Sequence, residues 1–154
     1  MNGDPEHQRW LTARHEAGHA IAAIHYDVPL LYVSIERDGV YLGAARVAEP
    51  EVPQDAIVLF CGPLAETDWV DFQPGANIVV TAVGSDLVGL RKLEQAHGDL
   101  GWYYREALLF LSDPAIQRQI DRLARALLDH NRLSADEARA RAEFAEPILP
   151  DPHP

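Results

Sequence analysis

The segment "DPEHQRWLTARHEAGHAIAAIHYDVP", residues 4 to 29, is the strongest constraint on how this chain can fold. Asp4 can accept an amide N–H as a helix N-cap, and Pro5 suits the first helical position, where its missing N–H costs nothing and its fixed φ is already helical. No second proline intervenes before Pro29, so the spacing predicts one helix running to about Tyr26. Within it Ala17, Gly18, Ala20 and Ala23 form a small, apolar surface suited to close packing rather than exposure. The rest of the chain is expected to cover that surface.

The same helix carries His15-Glu16-Ala17-Gly18-His19. A helix turns about 100° per residue, so side chains four apart differ in direction by only about 40°. His15 and His19 therefore project from one face, a turn apart, where two imidazoles can hold one tetrahedral ion. Glu16 sits on the flank of that face, close enough to reach a metal-bound water without occupying a coordination position. Zinc in such a site lowers the pKa of its water toward ~7 and polarises a scissile carbonyl. Glu16 would then act as general base, passing the proton to the leaving amine. The bland alternative is a pair of surface histidines making i,i+4 contacts, and the five-residue pattern arises by chance in roughly a few per cent of such chains. The small apolar residues around it favour the metal reading, because a solvated face would be more polar.

A catalytic zinc usually takes three protein ligands and leaves a fourth position open. Three downstream candidates stand out: Glu66 in "GPLAETDW", Asp86 in "VGSDLVGL" and His97 in "EQAHGD". Each has an ordinary explanation as well, respectively a surface carboxylate, a helix cap and a C-terminal charge favoured by the helix dipole. Spacing alone does not choose among them.

Elsewhere, "LLYVSIERDGVYLGAARVA" alternates Leu31, Val33 and Ile35 with Tyr32, Ser34 and Glu36, and Asp38-Gly39 supplies a turn, so it reads as a hairpin with a second strand at 40–47. "QDAIVLFCGPLAETDWV" reads as a buried helix interrupted at Gly62-Pro63, and "DFQPGANIVVTAVG" as a long loop. Ser85 and Asp86 are expected to cap the next helix, which ends near Gly98; "LGWYYREALLFL" forms another, stopped by Asp113-Pro114. Ile116, Ile120, Leu123 and Leu127 mark one face of a long amphipathic helix. "SADE" at 134–137 is a capping box. The expected architecture is α+β and predominantly helical, one domain over 1–146 with a small sheet packed on the zinc helix, followed by a proline-rich tail at 147–154.

Composition excludes several classes. The 154 residues suffice for one domain with a real core, and 47% hydrophobic against 24% charged residues argues against disorder. A formal charge of −11 disfavours nucleic acid and anionic membranes as partners. One cysteine, Cys61, rules out an internal disulfide and suits a reducing compartment. With no secretory or membrane-spanning pattern either, the expected location is cytoplasmic. Cys61 lies in apolar sequence and reads as core; His25 lies off the His15/His19 face; Trp102, Tyr103 and Tyr104 read as packing; Arg118, Arg122 and Arg125 read as a solvated face; and His153 reads as inert.

Taken in order, these residues resemble the peptidase domain of the FtsH family of AAA proteases. "HEAGH" matches that family's zinc helix, "RDGVYLGAARVAEPE" its hairpin with Leu42-Gly43, "IVLFCGPLAE" its helix ending in Gly-Gly-Arg-Ala-Ala-Glu with Gly62, Ala65 and Glu66 in register, and "AVGSDLVGLRKLEQA" its Ser-Asn-Asp-Leu element. "LARALLDHNRLSADEA" is similar to its closing helices. The resemblance implies a zincin-like fold, one zinc held by His15, His19 and Asp86, Glu16 as catalytic base, and a role for Glu66 behind the ligands. The sequence departs from the family at Cys61-Gly62-Pro63-Leu64 and in the shortened Ser85-Asp86 element, and the peptidase is expected to work without the family's ATPase domain and membrane anchor.

The expected activity is therefore a stand-alone, ATP-independent zinc metalloendopeptidase acting on flexible or extended polypeptides, with strand 40–47 as the edge along which a substrate would pair. A non-catalytic zinc-containing binding or regulatory module is the competing expectation. The retained Glu16 favours the enzyme, because a structural zinc needs no base. A dedicated protease that cuts a single partner is a third possibility.

Overall fold

The computed structural model describes residues 4–36, 44–47, 50–67 and 84–144. Helix α1 spans Pro5–His25; Asp4 caps it by accepting the His7 N–H, and Pro5 opens it. Strand β1 (Leu30–Ser34) and strand β2 (Ala44–Val47) follow, then α2 (Asp55–Ala65), α3 (Gly84–His97), α4 (Gly101–Leu111) and α5 (Pro114–His130). A short strand β3 (Arg132–Ser134) leads into α6 (Ala135–Phe144). The expectation of a mostly helical α+β chain with one small sheet holds. The Asp38-Gly39 turn, residues 40–43 of the second strand, residues 71–83 of the long loop, and the 147–154 tail lie outside the described residues.

The sheet is antiparallel in the order β2-β1-β3, so the hairpin gains a third strand that the sequence did not announce. "RLS" is too short for periodicity to show and sits between two helices; it pairs because Leu133 meets Val33 across the ladder and is buried there. The alternation expected along β1 also fails in part. Leu30 pairs with Val47 but Tyr32 with Arg46, leaving Leu31 as the extra residue of a bulge. A bulge reverses which side chains face inward. Leu30, Val33 and even Ser34 are accordingly buried, while Leu31 is 65% exposed.

Around α1 the packing follows the size of its side chains. Ala13, Ala17, Ala20 and Ala23 are fully buried, and α2 and α5 lie against them. Gly18 permits the closest approach: a Cβ there would stand 2.4 Å from the Cys61 carbonyl oxygen and 2.6 Å from the Ala65 Cβ. Contrary to expectation α2 is not interrupted at Gly62-Pro63. Pro63 lies near the helix end, where it removes one intrahelical bond without stopping the last turn.

On the other side of α1, α5 turns Ile116, Ile120, Leu123 and Leu127 into the core, as its pattern predicts. The capping box is literal: Glu137 N–H donates to the Ser134 hydroxyl, and Ser134 N–H donates to the Glu137 carboxylate. Helix α3 attaches through a smaller cluster, Leu90 and Leu93 against Ala56 and Leu59 of α2. It begins at Gly84, so Ser85 and Asp86 belong to its first turn rather than capping it.

Candidate metal centre

Three helical segments bring the centre together. Helix α1 presents His15, Glu16 and His19, the C-terminal end of α2 presents Glu66, and the first turn of α3 presents Asp86. The His15 Nε2 and the His19 Nε2 stand 3.2 Å apart. Asp86 Oδ2 lies 2.9 Å from the first and 3.2 Å from the second. Three donor atoms thus converge, two nitrogens and one oxygen. His15, Glu16 and His19 form a group that could hold a metal ion, with ligand atoms all within 4.8 Å of one another.

The opposite ring nitrogens explain why the Nε2 atoms point inward. His19 Nδ1 is 2.8 Å from the Val58 carbonyl oxygen. A carbonyl only accepts, so Nδ1 carries a proton there, and in the neutral ring Nε2 is the nitrogen left to bind a metal. His15 Nδ1 is 2.6 Å from Glu66 Oε2, which fixes its tautomer and ring plane in the same sense. The two rings meet edge to face, 4.8 Å between centroids.

Helix α2 is shaped to allow this. Positions 58, 62 and 66 share one face of it, four residues apart, and that face runs along the two histidines. At Gly62 a Cβ would fall 2.1 Å from His19 Nε2, so any side chain there would displace the imidazole. Arg14 holds the end of α2 in place: buried, it donates to the Ala65 carbonyl and to Gln117 of α5.

Burial and charge set the proton affinities. Glu16 is only 7% exposed; burial raises its pKa, and the neighbouring carboxylates add to this against the pull of His19 and His15. Burial alone would lower the His15 pKa, but its hydrogen bonds to Asp86 and Glu66 and the nearby Glu16 charge outweigh that and lift it to about 10. His19 is raised as well, burial opposing and Asp86 prevailing. The two imidazoles hold Asp86 well below the usual carboxylate range despite its burial. A buried carboxyl with raised proton affinity beside two nitrogens and a strongly acidic carboxylate is an arrangement suited to proton transfer next to a cation.

Of the three candidates for a third ligand, only Asp86 reaches both imidazole nitrogens. Glu66 contacts the far side of His15. His97 bonds the Glu51 carbonyl at the other end of α3, which for a helix rising 1.5 Å per residue is about 16 Å from Asp86. His25 bonds Gln119 from the last turn of α1. Cys61 is fully buried, and burial pushes its thiol pKa up, as suits a core residue. Sequence reasoning missed Val58, the packing of Gly62 on His19, and Arg14. The repeat of 58, 62 and 66 at helical spacing would have pointed to the first two, whereas nothing marked Arg14. No protein-family model matches this chain, and no curated protein matches it.

Proposed function

We propose that this chain is a zinc metallopeptidase of zincin-like fold, akin to the FtsH peptidase domain, in which His15, His19 and Asp86 hold the ion and Glu16 is the general base. The observation that carries the reading is the convergence of two Nε2 atoms and one aspartate oxygen, each 2.9 to 3.2 Å from the next. Ligands 2.0–2.2 Å from a tetrahedral zinc are separated by about 3.3–3.6 Å, so small adjustments suffice for this donor set. Two nitrogens and one oxygen also leave a fourth position for water or substrate. When bound, the zinc supplies a Lewis acid that lets water ionise near neutral pH and polarises the peptide carbonyl.

The chain's own residues do the rest. Glu16, buried and with raised proton affinity, accepts a proton from the attacking water and delivers it to the departing amine. Glu66 and the Val58 carbonyl hold the two ring Nδ1 protons, so neither histidine rotates during the reaction. Strand β2 lies at an edge of the sheet, and its outer side is open to pair with an extended substrate among the described residues. Hydrolysis by this route consumes no nucleotide, and flexible or extended polypeptides are the substrates that an edge strand admits.

The deciding experiment pairs metal analysis with cleavage of an unfolded protein such as casein. The wild type should carry about one zinc per chain and cleave it, while Glu16→Gln keeps the zinc and loses cleavage by about a thousandfold or more. Zinc retention with no cleavage by either protein would favour the non-catalytic binding module, and folded protein without zinc would end both readings.

A further inference from the structure

Beside the metal centre lies a cleft of about 750 Å³ between the first turns of α1 and α5. It lies in the size range of ligand sites, and Glu66 belongs both to its wall and to the metal centre, where it bonds His15. The cleft therefore adjoins the metal centre through Glu66, on the Nδ1 side of His15. Trp10 and Leu11 of α1 and Pro114 of α5 supply an apolar wall. The guanidinium of Arg125 lies over the Trp10 ring, 5.4 Å from its centroid, and helps hold that wall in place.

The charges in the cleft are not equivalent. Glu66 is engaged with His15, and Asp121 with Arg125 at 2.9 Å. Arg14 is buried between the Ala65 carbonyl and Gln117. Arg118 lines the same cleft, is exposed, and has no ion-pair partner among the described residues. An uncompensated guanidinium beside an apolar wall favours a carboxylate carried on an apolar body.

The geometry points to this cleft as a substrate subsite for an apolar residue bearing or adjoining a carboxylate, Arg118 taking the carboxylate and Trp10, Leu11 and Pro114 the apolar body. The inference rests on the peptidase reading and adds a substrate preference to it. The carboxylate has two possible sources, the C-terminus of a peptide and an Asp or Glu side chain within it.

Binding is measured by calorimetry to the zinc-loaded Glu16→Gln protein, which cannot consume the ligand. The probes are a pentapeptide ending in Phe with a free carboxylate, the same peptide amidated, and an amidated peptide with an internal Phe-Glu pair. The free acid should bind about tenfold tighter than the amide, as a charge-assisted contact implies. Arg118→Glu should abolish that difference and Arg118→Gln reduce it, while Arg105→Glu, on the exposed face of α4, should preserve it. Tight binding of the Phe-Glu peptide as well would assign the subsite to side-chain carboxylates, and its weak binding would assign it to chain ends. Equal affinity for acid and amide, or an equal effect of the Arg105 and Arg118 substitutions, would overturn the inference. Wild-type cleavage of casein without any carboxylate preference would defeat the subsite and leave the peptidase reading standing. A carboxylate preference in binding without casein cleavage would defeat the peptidase reading and leave a peptide-binding cleft in place of a substrate subsite.

Discussion

Helices α1 and α5 lie side by side, and both are long, yet they bury opposite kinds of surface. Helix α5 turns Ile116, Ile120, Leu123 and Leu127 inward and its charged residues outward, apart from the buried Gln117. Helix α1 buries alanines together with Arg14, Glu16 and His19. A buried apolar face needs only to be covered. Buried polar groups call for partners: Arg14 finds one at the end of α2 and His19 in the Val58 carbonyl and Asp86, whereas Glu16, buried beside both imidazoles, has its proton affinity raised by that burial. A helix that violates the pattern its neighbour obeys marks the place to look for a site rather than for packing alone.

That contrast can be broken most sharply at Asp86. Asp86→Ala should reduce zinc affinity by more than the roughly 10–100-fold typical of a residue behind the ligands, with helicity largely kept. If zinc stays at one per chain with unchanged affinity, measured by competition with a chromophoric chelator, the α1 face is not the centre described. The complementary change is Leu123→Ala on α5, where the side chain is fully buried. It should lower unfolding free energy by about 2–5 kcal/mol in a urea titration while zinc still binds one per folded chain. Loss of zinc at unchanged stability would invert the division of labour between the two helices.

Glu66→Gln tests the support behind His15. It keeps an acceptor for Nδ1 and removes the charge, so zinc affinity should fall about 10–100-fold, less than for Asp86→Ala. A larger loss than Asp86→Ala would make Glu66 the ligand.

Proton competition gives the mildest effect. A His15 pKa of about 10 means that this imidazole holds a proton at neutral pH in the absence of metal, and zinc must displace it. Apparent zinc affinity should therefore climb about tenfold per pH unit between roughly pH 7 and 9, with proton release visible as buffer-dependent heat in calorimetry. The sign for the metal-depleted protein is opposite. Because the His15 pKa is raised above 6.5, its stabilising contribution is complete below that value and is lost as pH rises toward about 10. Asp86, whose pKa is lowered, adds stability above the ordinary carboxylate range that is lost as pH falls through its own depressed value. A flat zinc affinity across that range would show that His15 is already neutral.

Local rules made much of this protein readable before any coordinates. Asp4-Pro5, the i,i+4 histidines, the apolar face of α5 and the Ser134–Glu137 capping box all depend on residues within one or two turns of each other, and each appears as the sequence implied. The bulge at Leu31, the third strand at Arg132–Ser134 and the continuity of α2 through Pro63 escaped it, because each is settled by what packs alongside. The choice of Asp86 over His97 shows the same divide. Spacing left the two equivalent, and the resemblance to a known family preferred Asp86. Only the placement of the first turn of α3 beside α1, held by Leu90 and Leu93 against α2, brings that carboxylate to both imidazoles. The sequence determines which side chains share a helix face, because a helix is a local repeat. Which carboxylate, carbonyl and glycine meet that face from across the chain is decided by tertiary packing, since those contacts join residues 39 to 71 positions apart.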